Sequence, residues 1–196
     1  PTKGWINLDN TPALKLAKFP VFVSLLRKFA LLEAAQLQNI EWNRLNSVNF
    51  CDATAPLPFE DSSIDVVYTS HMVEHLSRTG AVTFFGGALR ILRSGGVLRV
   101  SVPNLRLLVD EYLVSGNADE FIRRAYVSAG DLNSVRDKLK LLAVGFRHHQ
   151  WMYDGNSMSK LLKESGFRNV SICKFDKKTK PHPNPSDLRE HFKHSV

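Results

Sequence analysis

The chain has 196 residues, the usual size of one α/β domain, and 43% of them are hydrophobic, enough for one substantial core. Its formal net charge of +7 comes from 26 basic against 19 acidic residues. Aromatic and basic residues do not pair at the spacing of a nucleic-acid-binding module, so we expect no nucleic-acid partner. The most apolar stretch, residues 13–37, is interrupted by charged residues and by Pro20, which excludes a transmembrane span.

The cysteines and the apolar stretch bear on where the protein works. Cys51 and Cys173 lie far apart, each in a strand-like run, which predicts reduced core residues of a cytoplasmic protein. In residues 13–37 apolar side chains alternate with basic ones. We expect this stretch to pack on a sheet as a helix, and peripheral contact with a membrane surface stays open as the alternative.

Short runs rich in Val and Ile alternate with helical patterns along the chain. This order predicts an α/β fold with a mostly parallel central sheet and helices on both faces. The predicted strands are Gly4–Asp9, Ser47–Cys51, Ile64–Thr69, Val97–Val102 and Val170–Phe175.

Two helices are predicted from apolar residues at helical spacing. The first spans Ala81 to Leu92, and its pattern stops at Ser94-Gly95-Gly96, a helix-terminating sequence. The second covers residues 158–162, where Asp154 and Asn156 precede it as candidate N-caps. Gly166 closes this second helix.

Residues 104–150 are too many for a simple connection between two strands. Apolar residues recur in this segment at helical spacing. We therefore predict that residues 104–150 form a helical lid insertion within a single domain that spans residues 1–196.

Acidic residues follow the first two predicted strands. Asp9, which precedes Asn10, ends the first strand, where a carboxylate can accept hydrogen bonds from both hydroxyls of a ribose. Asp52, which precedes Ala53, follows the second strand, where it can accept a hydrogen bond from an adenine amine. A turn residue at Asp9 and a capping residue at Asp52 are the structural alternatives.

The third predicted strand leads into the segment Thr69-Ser70-His71-Met72-Val73-Glu74-His75-Leu76. His71, Glu74 and His75 follow the H-x-x-E-H order of inverted zinc metallopeptidases. A zinc site needs a third ligand and a long helix, whereas the helical pattern here ends within two turns. A histidine at a helix start, with a satisfied Glu74–His75 contact, is the structural alternative.

His148 and His149 precede the second predicted helix, at the end of the predicted lid. An imidazole in this position can reach the carboxyl ends of the predicted strands from the lid side. With a pKa near the working pH, it can accept a proton from the hydroxyl group of a substrate. A surface loop without a catalytic role is the alternative.

Taken together, these motifs resemble the type 11 family of class I S-adenosylmethionine-dependent methyltransferases. The resemblance extends over nearly the whole chain. Its most specific parts are Gly4-Trp5-Ile6-Asn7-Leu8-Asp9, then Asp52 with Leu57-Pro58-Phe59, then Ser63-Ile64-Asp65-Val66-Val67-Tyr68, then Glu74-His75-Leu76, and then Leu89 to Pro103.

The resemblance implies a Rossmann-like methyltransferase fold and S-adenosylmethionine as the cofactor. In such families the acidic residue after strand two holds the ribose, which implies Asp9 with Asn10 beside it. The acidic residue after strand three approaches the adenine, which implies Asp52 with Ala53. Residues Thr69, Ser70 and His71 would then lie near the methionine part and the acceptor.

Two histidines are predicted to handle the acceptor, His71 first and His149 second. The prediction assigns no metal ligand. In the family's strand order 3-2-1-4-5-7-6, strand one carries a glycine-rich cofactor loop that this sequence does not contain. Residues 191–196 resemble the approach to the last strand. We therefore expect further residues upstream and downstream.

The predicted function is methyl transfer from S-adenosylmethionine to a small-molecule or glycan-type acceptor. Three alternatives stay open. They are a methyltransferase-like binding module without catalysis, a zinc hydrolase that uses His71 and His75, and a nicotinamide-dependent oxidoreductase. The acceptor itself is not predictable, because the residues that would select it lie in the predicted lid and near the start of the chain.

Overall fold

A computed structural model describes residues 5–29, 32, 34–46, 48–127 and 148–173. The chain divides into two compact units at the peptide bond between Asp52 and Ala53. The first unit comprises the described residues up to Asp52, and the second comprises the described residues from Ala53 onward. Each unit is considered by itself below.

The first unit contains one pair of parallel strands and three helices. In chain order these are β1 (Asn7–Asp9), α1 (Pro12–Leu16), α2 (Pro20–Lys28), α3 (Ala34–Leu45) and β2 (Val48–Phe50). Asp9 lies opposite Phe50 in the β1–β2 register, so the carboxyl ends of both strands lie at one edge. Helix α1 packs against α3 and β2.

Proline begins the first two helices of this unit. Pro12 and Pro20 occupy the first helical turn, where the missing N–H costs no hydrogen bond and the fixed φ suits a helix. Leu14 in α1 and Ile40 in α3 are buried. Helix α2 instead exposes its large apolar side chains, and Phe22 is 49% exposed. Among the described residues, the expected packing of this stretch on a sheet is therefore incomplete.

The second unit contains the longer strand pair. Its elements are β3 (Ile64–Ser70), a 3-10 turn (Val73–His75), α4 (Arg78–Ile91), β4 (Leu92–Ser101), α5 (Leu105–Ser115), α6 (Ala118–Ala125) and α7 (Gly155–Glu164). Strands β3 and β4 are parallel, and Ser70 lies opposite Ser101 at their carboxyl ends. Helix α4 is the crossover between them, as expected for parallel neighbours.

Helix α4 is shorter at its end than its sequence pattern predicts. The predicted stop was Ser94-Gly95-Gly96, but the helix ends at Ile91 and β4 begins at Leu92. The register between β3 and β4 shifts within this stretch, and Gly95 has a φ of +77°. Gly95 therefore serves an irregularity in the register at the start of a strand, because glycine tolerates positive φ.

The core of the second unit forms on one face of α4. Phe84, Phe85 and Ala88 are buried there, together with Ile91 at the helix end. The ring of Phe85 contacts Phe167, with ring centroids 6.4 Å apart. The apolar spacing read from the sequence thus corresponds to the buried face of this helix.

Helix α7 begins as the sequence predicts. Asp154 is its N-cap, accepts a hydrogen bond from the Ser157 backbone N–H at 2.7 Å, and forms a capping box with Ser157. Gly166 follows the helix with a φ of +97°. Of the predicted lid, residues 105–125 form α5 and α6, and residues 128–147 lie outside the described residues. The lid assignment stays a prediction.

The predicted α/β class is confirmed, since parallel strands and helices alternate in both units. The pairs β1–β2 and β3–β4 are those that the strand order 3-2-1-4-5-7-6 gives to strands two and three and to strands four and five. Each described sheet has two strands and is smaller than the central sheet predicted.

The fifth predicted strand is wrong over the residues that the structure describes. Val170–Cys173 forms no strand, and residues 174 and 175 lie outside the described residues.

Within the described ranges, no helix combines the length and the apolar character needed to cross a membrane.

Candidate functional site

The first unit brings its predicted cofactor residues to one edge of its strand pair. Asp9 ends β1, Asn10 follows it, and Asp52 lies two residues beyond β2. The Cys51 backbone N–H donates to the Asp9 carbonyl at 3.0 Å, which extends the pairing toward Asp52. Asp9, Asn10 and Asp52 are all exposed, so a ligand can reach them.

Asp9 also has a local structural role. Its Oδ1 accepts a hydrogen bond from the Thr11 backbone N–H at 2.8 Å, in the turn that leads into α1. This is the turn role expected of an aspartate after a strand. It uses one carboxylate oxygen, and the second oxygen can still accept a hydrogen bond from a ligand.

The second unit places the other predicted residues at the carboxyl end of β3. Thr69 is 7% exposed, and its Oγ1 has no hydrogen-bond partner among the described residues. Ser70 ends the strand. His71 follows with a φ of +51°, an uncommon value for a residue with a side chain, and its backbone N–H donates to the Ser101 carbonyl at 2.9 Å. Ala53, at the start of this unit, is half-buried.

A buried carboxylate lies next to His71. Glu74 is 0% exposed, and its Oε1 lies 3.2 Å from His71 Nδ1. The His71 side chain is 23% exposed. The pair therefore combines a partly exposed imidazole with a carboxylate that is removed from water.

The segment before α7 is tied to the same 3-10 turn. The Gln150 backbone N–H donates to the Glu74 carbonyl at 2.8 Å, and Gln150 Nε2 donates to the His75 carbonyl at 2.7 Å. His75 Nδ1 lies 3.2 Å from the His148 carbonyl oxygen. These contacts join residues more than seventy positions apart in the chain.

His149 is held between α6 and Glu74. Its Nδ1 lies 2.7 Å from the Ala125 carbonyl oxygen, and its Nε2 lies 3.9 Å from Glu74 Oε1. Burial lowers the pKa of His149, and the nearby Glu74 carboxylate opposes that effect. The rings of His75 and His149 meet edge to face, with centroids 4.9 Å apart.

One feature of this site was not predicted from the sequence, namely that Glu74 pairs with His71 and His149, where a Glu74–His75 contact was the structural alternative. The stretch from His71 to His75 contains a three-residue 3-10 turn, so it lacks the long helix that the H-x-x-E-H motif of zinc hydrolases requires, as the short helical pattern predicted. The sequence signal that could have indicated this cluster was Glu74 itself, an acidic residue in the turn between a predicted strand and a predicted helix.

Comparison with known proteins finds a match to one family model. Residues 26–100 match the family model described as a methyltransferase domain, of type 11. These residues include Asp52 and the segment from Thr69 to His75. The comparison with curated proteins finds no match.

Solved structures resemble the chain at low sequence identity. A SAM-dependent methyltransferase from Thermotoga maritima, described as a possible histamine N-methyltransferase, is 18% identical over 69% of this chain and 52% of its own, with a TM-score of 0.42. A SAM-dependent methyltransferase from Archaeoglobus fulgidus is 14% identical over 87% of this chain and 63% of its own, with a TM-score of 0.47. The chain thus spans less than two thirds of either structure's length. At TM-scores below 0.5, these similarities by themselves define no activity.

Proposed function

We propose that this protein transfers a methyl group from S-adenosylmethionine to a small-molecule or glycan-type acceptor, because residues 26–100 match the type 11 methyltransferase family model. The family match is the observation that carries the proposal. The bound cofactor supplies an activated methyl group on its sulfonium sulfur. Little covalent chemistry is then required of the protein, whose main task is to align the acceptor atom with that methyl group.

The residues at the strand ends suit the cofactor's polar groups. In the first unit, Asp9 with Asn10 would hold the ribose, because Asp9 keeps one oxygen for a ligand while the other holds the turn. Asp52 would accept a hydrogen bond from the adenine amine.

In the second unit, Thr69 and Ser70 would face the methionine part, with Ala53 as a further candidate contact to the cofactor. The buried Thr69 hydroxyl, which has no hydrogen-bond partner among the described residues, fits a polar ligand group.

His71 is the first candidate for the proton of an acceptor hydroxyl. His71 Nδ1 lies 3.2 Å from Glu74 Oε1, so Nε2 is the nitrogen that would take up the acceptor proton. Glu74 is then a positioning residue that would orient the His71 ring. His149 is the second candidate, also through Nε2, because its Nδ1 faces the Ala125 carbonyl.

Calorimetric titration of S-adenosylmethionine into the full chain tests the proposal. Asp9→Asn keeps an oxygen for the Thr11 N–H but removes the charge, so stability should hold while cofactor affinity falls. Hydrogen bonds to charged groups are worth about 1.5–3 kcal/mol, which corresponds to a loss of at least about tenfold. Asp119→Asn removes the same charge from an exposed position in α6 and should bind the cofactor as the wild type does.

The outcomes separate the candidate functions. A folded wild type that binds no S-adenosylmethionine would contradict the proposed function, and binding of NADH in its place would support the oxidoreductase. Equal affinity in the wild type and Asp9→Asn would remove Asp9 from the cofactor site.

His71→Ala tests the role assigned to the acceptor side. Loss of a general base typically lowers turnover by about 10²–10⁴-fold, while cofactor affinity should be unchanged. Release of S-adenosylhomocysteine with pools of hydroxylated small molecules and glycans measures turnover, and His148→Ala is the matched control. An equal loss of turnover and cofactor affinity in His71→Ala would contradict the assignment.

A further inference from the structure

We propose that Glu74, His75 and His149 form a binding site for a divalent first-row transition metal, represented by Zn²⁺. One ligand atom from each residue lies within 4.8 Å of the other two. This set differs from the H-x-x-E-H motif, because His149 comes from a distant segment and His71 is not a member. The inference does not depend on the proposed methyl transfer.

The separations are close to those of an occupied site. Ligand atoms about 2.0–2.2 Å from a tetrahedral zinc ion lie roughly 3.4 Å apart. The three groups lie within 4.8 Å of one another, so each pair needs to approach by up to about 1.4 Å to reach that geometry, an adjustment available to side-chain torsions. Glu74 and His75 lie on one turn, and the hydrogen bonds of Gln150 hold the segment of His149 against it.

Both histidines are oriented as metal ligands usually are. His75 Nδ1 lies 3.2 Å from the His148 carbonyl, and His149 Nδ1 lies 2.7 Å from the Ala125 carbonyl. A carbonyl oxygen only accepts, so Nδ1 carries the hydrogen in each ring and Nε2 presents its lone pair. A ligating histidine commonly donates its second ring N–H to a carbonyl or carboxylate, which fixes the tautomer.

The third ligand is a carboxylate that the protein leaves incompletely satisfied. Glu74 is 0% exposed, and neither of its carboxylate oxygens accepts a hydrogen bond from the described residues. Burying a carboxylate is costly unless it is paired with a charge or coordinates a metal. The ion-pairing side chains that the described part of the chain brings within 4 Å of its oxygens are imidazoles, His71 at 3.2 Å and His149 at 3.9 Å, and neither carries a fixed charge.

The ligand types select the class of ion. Two imidazole nitrogens and one carboxylate suit Zn²⁺ or Fe²⁺, whereas Mg²⁺ and Ca²⁺ prefer oxygen ligands. Three protein ligands leave a coordination position for water or a ligand oxygen. With a metal bound, His149 serves as a ligand, and His71 remains as the imidazole for the acceptor.

Metal binding by the full chain tests the site, without S-adenosylmethionine present. The protein is stripped with a chelator, titrated with Zn²⁺ by calorimetry, and titrated with Co²⁺ while the visible absorption is recorded. We expect one ion per chain, weak or no binding of Mg²⁺, and a cobalt spectrum typical of low coordination number. Methyl transfer is not read, so the failure of either proposal leaves the other testable.

The variants identify the ligands. His75→Ala and His149→Gln should each weaken Zn²⁺ binding by at least about tenfold, since even outer-shell changes at metal sites typically cost 10–100-fold. Glu74→Gln keeps the buried shape and should weaken binding similarly with an unchanged circular dichroism spectrum. His148→Ala is the control, because it removes a neighbouring imidazole and leaves the carbonyl that faces His75.

Two results would overturn the site. One is a folded wild type that takes up no zinc after stripping. The other is binding that survives in the His75→Ala/His149→Gln double variant, or that falls equally in His148→Ala, since either would assign the zinc to histidines elsewhere in the chain.

Discussion

The two units place their candidate site residues in different surroundings. In the first unit Asp9 is exposed at a strand end, and its oxygen holds a turn two residues away. In the second unit Glu74 is fully buried, and its histidine partners are His71, three residues earlier, and His149, from a distant segment. A local turn therefore holds the Asp9 carboxylate, whereas packing between distant segments surrounds the Glu74 carboxylate.

The apolar residues on helices of the two units also differ in how deeply they are buried. Phe85 in α4 is 0% exposed, whereas Phe22 in α2 is 49% exposed. Both residues lie on helices with apolar residues at helical spacing. These burials indicate that the free energy of unfolding depends more on apolar side chains of the second unit than on those of the first.

The largest expected effect is that of Phe85→Ala. Truncating a buried phenylalanine removes its packing and leaves a cavity, which typically costs about 3–5 kcal/mol. Urea unfolding followed by circular dichroism measures the loss.

Phe22→Ala is the counterpart in the first unit and should change the free energy of unfolding by less than about 1 kcal/mol, because surface substitutions have small effects. Similar losses in the two variants would contradict the comparison.

A smaller effect is expected at the Asp154 cap of α7. Asp154→Ala should cost about 1 kcal/mol at neutral pH. The hydrogen bonds from Ser157 lower the pKa of Asp154 below its usual value. The charged cap therefore stabilises the fold fully above the unfolded-state pKa, near 3.9, and this contribution is lost as the pH falls through the lower native pKa.

The control for the cap is Asp154→Asn, which keeps an acceptor oxygen without a titrating group. Unfolding free energies of the three proteins between pH 2 and pH 7 measure the effect. Asp154→Asn should retain most of the stability, and the gap between wild type and Asp154→Ala should narrow at low pH. A gap that stays constant with pH would show that the charge contributes nothing.

Short-range patterns determined much of the fold. Proline and capping residues begin helices at Pro12, Pro20 and Asp154 because their effects act within one turn. The alternation of strands and helices predicted the parallel pairs, because a helix between two strands allows them to lie parallel. The end of α4 was misjudged, because Ser94-Gly95-Gly96 suits a helix terminus and a β-bulge equally well and only pairing with β3 decides between them.

The sequence by itself determined that Asp9 and Asp52 follow neighbouring parallel strands and that His71 follows a third, since strand ends can be read from local patterns. Only the tertiary structure decided that Glu74 is buried, with no hydrogen-bond donor to it among the residues described, and that His149 Nε2 lies 3.9 Å from its Oε1. The physical reason is that burial and the meeting of distant segments depend on how whole elements pack, which no window of sequence contains.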